Sequence, residues 1–188
     1  MNVPTQVRRS RWARSAVALV PLAAIVACGG DPAGASDGPA PTTRFSENGV
    51  AVTLSVSDWH ASEGTLTAVF TPEAEGFHLY STDLPATGIE GVGRPTTVTV
   101  TGALAAEGSL RASAEARSIA LPGVDAPVPV YPDGPVTTTL AVRAAGNGEA
   151  TVLLGYASCS TRDGCTIPVT DRPVRLRVTD DGPAFVSP

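Results

Sequence analysis

The chain has 188 residues, 43% of them hydrophobic but only 5% aromatic, and carries 13 basic against 18 acidic side chains for a formal charge of −5. Once a targeting segment and a tether are set aside, that length holds one ordinary domain, with a core built from Val, Leu and Ala around few large rings. All the cations are arginine, and four of them (Arg8, Arg9, Arg11, Arg14) lie ahead of Cys28, where there is no acid; without them the charge falls to −9, which repels phosphate backbones and argues against nucleic acid as a partner.

Residues 1–27 have the form of an export signal. The four arginines make a basic start, and residues 15–27 (SAVALVPLAAIVA) are an apolar run too short to span a bilayer. The run ends in Ile25-Val26-Ala27-Cys28, which resembles a bacterial lipobox and makes Cys28 the expected lipidation site. Two acyl chains give stable anchoring, so the exported domain is expected to be held at the periplasmic or outer face of a membrane. Residues 28–45 follow as a linker of Gly, Pro, Ala, Ser and Asp without an apolar period. As a flexible coil of about 15 residues it keeps the domain on the order of 20 Å from the bilayer.

From residue 46 to 180 the dominant period is two. Val50, Val52, Leu54 and Val56 alternate with smaller or polar residues, as do Leu66, Ala68 and Phe70, and Val174, Leu176 and Val178. Residues 96–101, 136–142 and 149–156 follow the same pattern, with Gly, Pro, Asn or Asp clusters between most of them. About seven or eight half-buried strands punctuated by turns predict a β-sandwich. Residues 103–121 break the alternation: Ala, Glu, Arg and Leu favour a helix, but Gly108 and the serines interrupt it, and a loop with an irregular strand is expected. Residues 122–135 (PGVDAPVPVYPDGP) are too proline-rich for a central strand and are expected to run extended over the surface. Residues 181–188 form a short polar tail.

The candidate chemistry lies in residues 155–168, GYASCSTRDGCTIP. Lipidation takes Cys28 out of the count, leaving Cys159 and Cys165 as one pair in an oxidising compartment. Their five-residue spacer permits a bridge only if the chain reverses, and Asp163-Gly164 supplies the turn. Directly opposed strand residues have Cα separations of roughly 4.5 to 5.5 Å, inside the disulfide window. Such a bridge contributes roughly 2 kcal/mol by loop closure, so a lipid-anchored binding or structural module with a plain staple is one reading. A metal site would have only Cys159, Cys165, His60 and His78 to draw on, so neither metal nor cofactor is expected.

A second reading comes from likeness. Gly155-Tyr156-x-x-Cys159-x5-Cys165-x-x-Pro168 resembles the active-site hairpin of the N-terminal periplasmic domain of the thiol:disulfide interchange protein DsbD. Gly76-Phe77-His78-Leu79-Tyr80-Ser81 is similar to a strand of that family, residues 88–96 (GIEGVGRPT) to the Gly/Pro segment after it, and Val130-Tyr131-Pro132-Asp133 to a weaker third block. The resemblance implies an immunoglobulin-like sandwich of about seven to nine strands. It makes Cys159 and Cys165 a redox pair, relaying reducing equivalents from a membrane thiol-disulfide electron carrier to exported thioredoxin-fold partners. It places His78, Tyr80 and Tyr156 beside the sulfurs, His78 and Tyr80 sharing one strand face. Within residues 122–126, Val124 holds the place of the family's shielding aromatic. No multi-helix membrane domain or thioredoxin domain accompanies the hairpin, so its partners are expected on other chains.

Overall fold

A computed structural model describes residues 40–186; the export signal, Cys28 and most of the linker lie outside the described residues. In chain order the strands are β1 (Thr42–Glu47), β2 (Val50–His60), β3 (Glu63–Pro72), β4 (His78–Leu79), β5 (Thr97–Gly102), β6 (Leu104–Ala112), β7 (Arg117–Ile119), β8 (Val128–Val130), β9 (Val136–Ala144), β10 (Gly148–Tyr156), β11 (Ser158–Ser160), β12 (Gly164–Cys165), β13 (Val169–Thr179) and β14 (Gly182–Phe185). The predicted sandwich forms. One sheet has five strands in the order β1-β2-β3-β9-β6, and the other has four, β14-β13-β10-β5. Two small sheets, β12-β11-β4 and β7-β8, are added at one end of the chain's long strands.

The alternation seen in the sequence is what builds the core. Val50, Val52, Leu54 and Val56 of β2 and Leu66, Ala68 and Phe70 of β3 are buried, and the opposing sheet supplies Val152 and Leu154 of β10 with Leu176 and Val178 of β13. Period-two burial leaves the intervening threonines and arginines on the outer faces. Phe70 meets Tyr156 edge to face within this core, with ring centroids 5.4 Å apart.

The structure departs from expectation in three places and bears out one expectation. β1 starts at Thr42, inside the stretch assigned to the linker, because Asn48 and Gly49 both take positive φ (51° and 74°) and close a two-residue hairpin that pairs Glu47 with Val50. At the other end β14 (Gly182–Phe185) lies within the expected tail of residues 181–188, pairing Leu176 with Phe185. Residues 103–121 contain no helix: β6 pairs with β9 through an irregularity between Glu107 and Arg111, where Gly108 has φ +90°, and β7 follows. This is the irregular strand of the sequence reading.

Residues 122–135 need the larger correction. They do not simply run over the surface, since Val128, Val130 and Tyr131 are buried. The prolines alternate with the valines, so their missing N–H groups cost nothing. On one side β8 pairs with the short β7; on the other Val130 bridges to Tyr80, where the Pro129 carbonyl accepts a hydrogen bond from Ser81 N. Val128 and Val130 belong to a second, smaller apolar cluster with Tyr80, Leu84, Ala157 and Cys159.

The Phe70–Tyr156 contact gives a direct test of the main core. Phe70→Ala is expected to lower unfolding free energy by about 3–5 kcal/mol in urea titration, with an unchanged slope against denaturant.

Candidate functional site: the disulfide hairpin

Strand β10 ends at Tyr156 after a register shift against β13, and the chain continues through Ala157 into β11 as the centre of the small three-stranded sheet. On one edge Cys159 pairs with His78 of β4; on the other it pairs with Cys165 of β12. The two cysteines are therefore directly opposed. Their Cα atoms are 4.0 Å apart and the disulfide is closed. The turn between them is held by Ser160, whose Oγ accepts from the backbone N–H groups of Arg162 and Asp163 and donates to the Asp163 carboxylate at 3.1 Å. Thr166 N donates to Ser158 O at 2.8 Å and extends the hairpin past β12.

Alternation along β4 separates the two cores. Leu79 points into the main core, whereas His78 and Tyr80 lie on the opposite face with the disulfide. The Tyr80 hydroxyl lies 2.9 Å from Cys159 Sγ and 3.7 Å from Cys165 Sγ. A disulfide sulfur carries no hydrogen, so the hydroxyl donates. Burial pushes the Tyr80 pKa above its usual 10, which keeps that donor protonated at neutral pH.

His78 is 2% exposed and does not face solvent. Its ring meets Tyr80 edge on at 6.4 Å between centroids, and its Nδ1 is 3.4 Å from Asp133 Oδ1, an oxygen that Arg117 also contacts at 3.0 Å. Burial lowers its pKa from 6.5, and the adjacent Asp133 carboxylate opposes that shift only in part. The imidazole is thus neutral at pH 7.

The sulfurs themselves differ. Cys159 is 5% exposed and sits in the smaller apolar cluster, whereas Cys165 is exposed on the edge strand β12. Ile167, two residues on, is 74% exposed.

Val124 packs, partly buried, against the cluster that contains Cys159. It does not act alone. A cavity of about 260 Å³ beside both sulfurs is also lined by Gly91, Val92, Gly93 and Arg94, so a second loop helps to enclose the disulfide. Arg94 Nη1 ties this loop together by donating to the carbonyls of Thr87, Gly91 and Gly93 at 3.2, 3.2 and 2.6 Å. Gly93 has φ +82° and lies so close to Tyr80 that a Cβ there would fall 2.6 Å from its ring. Glu90 links the two loops by accepting from Asp125 N at 3.0 Å. The glycines from 88 to 93, within the segment that resembles the family's Gly/Pro stretch, signalled a turn in the sequence without saying what the turn covered.

Tyr156 is placed elsewhere. It lies three residues before Cys159, an odd number, so its ring projects to the main-core face and not toward the sulfurs. There its hydroxyl donates to Glu47 O at 3.3 Å, and burial, reinforced by the Glu47 charge, raises its pKa to about 12.

No family profile matches this sequence, and no curated protein matches it. Among solved structures, the crystal structure of the Neisseria meningitidis DsbD N-terminal domain in the reduced form is similar, with 14% identity, a TM-score of 0.43, and coverage of 79% of this chain and 90% of that chain.

The lowered His78 pKa has a consequence for stability. The unfolded chain takes up a proton near pH 6.5 that the fold resists, so stability falls as pH drops through about 6.5 toward the lower folded pKa, then levels off. The urea midpoint is expected to fall between about pH 7.5 and 5.5, His78→Gln to flatten that segment, and Asp133→Asn to steepen it.

Proposed function

We propose that the Cys159–Cys165 pair performs thiol-disulfide exchange, relaying reducing equivalents between a membrane thiol-disulfide carrier and exported thioredoxin-fold proteins from a domain anchored through Cys28. The observation that carries this reading is the asymmetry of the sulfurs: Cys165 is open to a partner, and Cys159 is buried with the Tyr80 hydroxyl 2.9 Å from its sulfur. A purely structural staple requires neither the exposure nor the donor.

The chemistry follows from that arrangement. A thiolate of the reduced donor attacks Cys165 Sγ in line with the S–S bond, a mixed disulfide forms, and the bonding electron pair leaves on Cys159. The Tyr80 O–H is already directed at that sulfur and hydrogen-bonds the emerging thiolate. The donor's second thiolate then attacks its own sulfur in the mixed disulfide and releases Cys165. Two electrons and two protons have moved to the domain, and the donor is left as a disulfide. In the reverse sense, the Cys165 thiolate attacks the acceptor's disulfide and Cys159 resolves the mixed disulfide. His78, neutral at pH 7, places no imidazolium charge near the pair; its role in this scheme is to hold β4 in register against Cys159.

Two experiments test the proposal. The reduction potential of the isolated protein, measured against glutathione and dithiothreitol buffers, is expected to lie above about −300 mV, the region below which structural bridges fall. In the same preparation, Cys159→Ser is expected to trap a mixed disulfide with a thioredoxin-fold probe through Cys165, while Cys165→Ser traps little because Cys159 is buried. A potential well below that value together with no trapped species would leave the pair as a staple.

Tyr80→Phe keeps the ring and removes the donor. A hydrogen bond to a charged group is worth about 1.5–3 kcal/mol, so this change is expected to slow exchange by at least about tenfold while shifting the unfolding midpoint little. Stopped-flow fluorescence against a reduced thioredoxin-fold probe measures it.

A further inference from the structure

One large apolar side chain beside the exchange pair has no part in the scheme above. Ile167 is 74% exposed, one of two strongly exposed large apolar side chains among the described residues; the other, Val186, follows β14. A single exposed apolar side chain is ordinary on a protein surface, but Ile167 does not stand alone. Cys165 and Pro168 are exposed as well, and both line the cavity beside the disulfide together with Thr166 and the half-buried Val92. The segment is also held in place. Residues 166–168 belong to no strand, yet Asn48 Nδ2 donates to the Ile167 carbonyl at 3.0 Å and Thr166 N donates to Ser158 O at 2.8 Å. The Thr166 methyl lies against Gly49, where an added Cβ would stand 3.4 Å from it. A backbone fixed in this way loses little further freedom when the side chain it carries is covered by a partner.

We infer that Ile167 and Pro168 form the docking contact for the protein that exchanges with Cys165, a thioredoxin-fold partner whose reactive cysteine is rimmed by apolar surface. This rests on the exchange reading above. Two residues of chain keep the Ile167 Cα within about 7 Å of the Cys165 Cα. One side of a standard protein interface covers about 800 Å², a patch of about 16 Å radius. A protein thiolate that reaches Cys165 Sγ therefore brings its own surface over Ile167 and takes that side chain out of water. A small thiol reaches the same sulfur without covering Ile167. The contact thus speeds exchange with proteins and leaves the intrinsic reactivity of the disulfide alone, which selects protein partners over low-molecular-weight thiols.

The test mixes the oxidised full chain in stopped flow with reduced thioredoxin and, separately, with dithiothreitol, for the unaltered protein, Ile167→Ala and Ile167→Asp. The second-order rate constant with thioredoxin is expected to fall about tenfold in Ile167→Ala and further in Ile167→Asp, while the rate with dithiothreitol stays within about twofold. The urea midpoint is expected to stay in place, because Ile167 lies outside both apolar clusters. Equal thioredoxin rates in all three proteins would overturn the docking role and leave the exchange reading standing. An equal loss with both reagents would also overturn it, since Ile167 would then act on the disulfide itself. An unaltered chain that reacts with dithiothreitol but not with thioredoxin would sink both readings. A dimer in sedimentation velocity that Ile167→Asp dissolves would assign the patch to a second copy of the chain and overturn the inference.

Discussion

The site depends on the double pairing of β11. Because Cys159 is hydrogen-bonded through its strand to β4 on one edge and to β12 on the other, His78, distant in sequence, is drawn into one transverse row with Cys159 and Cys165. Opposed residues of antiparallel strands project to the same face, so this row fixes which side chains can meet the sulfurs and which cannot. Tyr80, two residues past His78, is carried onto that face; Leu79 and Tyr156 are carried off it into the main core. The register shift that ends β10 is what frees the chain to join the second sheet.

Around that row the fold makes two environments from one pair of cysteines. Cys159 is enclosed by Tyr80, Val128, Val130 and Ala157, where a thiolate is costly to form without a donor. Tyr80 is the donor, and its own burial keeps its proton in place. Cys165 lies on a two-residue strand with no further strand beyond it among the described residues. The bridge contributes only about 2 kcal/mol of loop-closure stabilisation, a modest share of a total stability of about 5–15 kcal/mol. The domain is held mainly by the core between its large sheets, and the bridge adds only a small part of its stability.

Much of the fold was legible because period-two burial is a local property. β2, β3 and β13 could be read from Val50 to Val56, Leu66 to Phe70 and Val174 to Val178, since each buried valine or leucine faces the same sheet-to-sheet space. The hairpin was legible too, because five residues between cysteines and an Asp-Gly turn leave little choice of geometry. β1 was missed although its signal, Asn48-Gly49, was present: the composition of the linker outweighed a two-residue turn. Residues 122–135 were misplaced because proline content argues about hydrogen-bond donors, and β8 needs few of them.

The side chains that surround the sulfurs divide in the same way. That His78 and Tyr80 share a face, and that Tyr156 lies an odd number of residues from Cys159, are parities written in the sequence. That Arg94 ties a glycine loop beside the disulfide, that Asp133 reaches His78, and that one cysteine is buried while the other is exposed are contacts between segments far apart in the chain. The sequence alone therefore determined the long core strands such as β2, β3 and β13, their inward faces and the pairing of two cysteines, all set by neighbours within a few residues. Only the tertiary structure decided which sulfur is open and what stands beside the other, because exposure is a property of what packs against a residue from elsewhere in the fold.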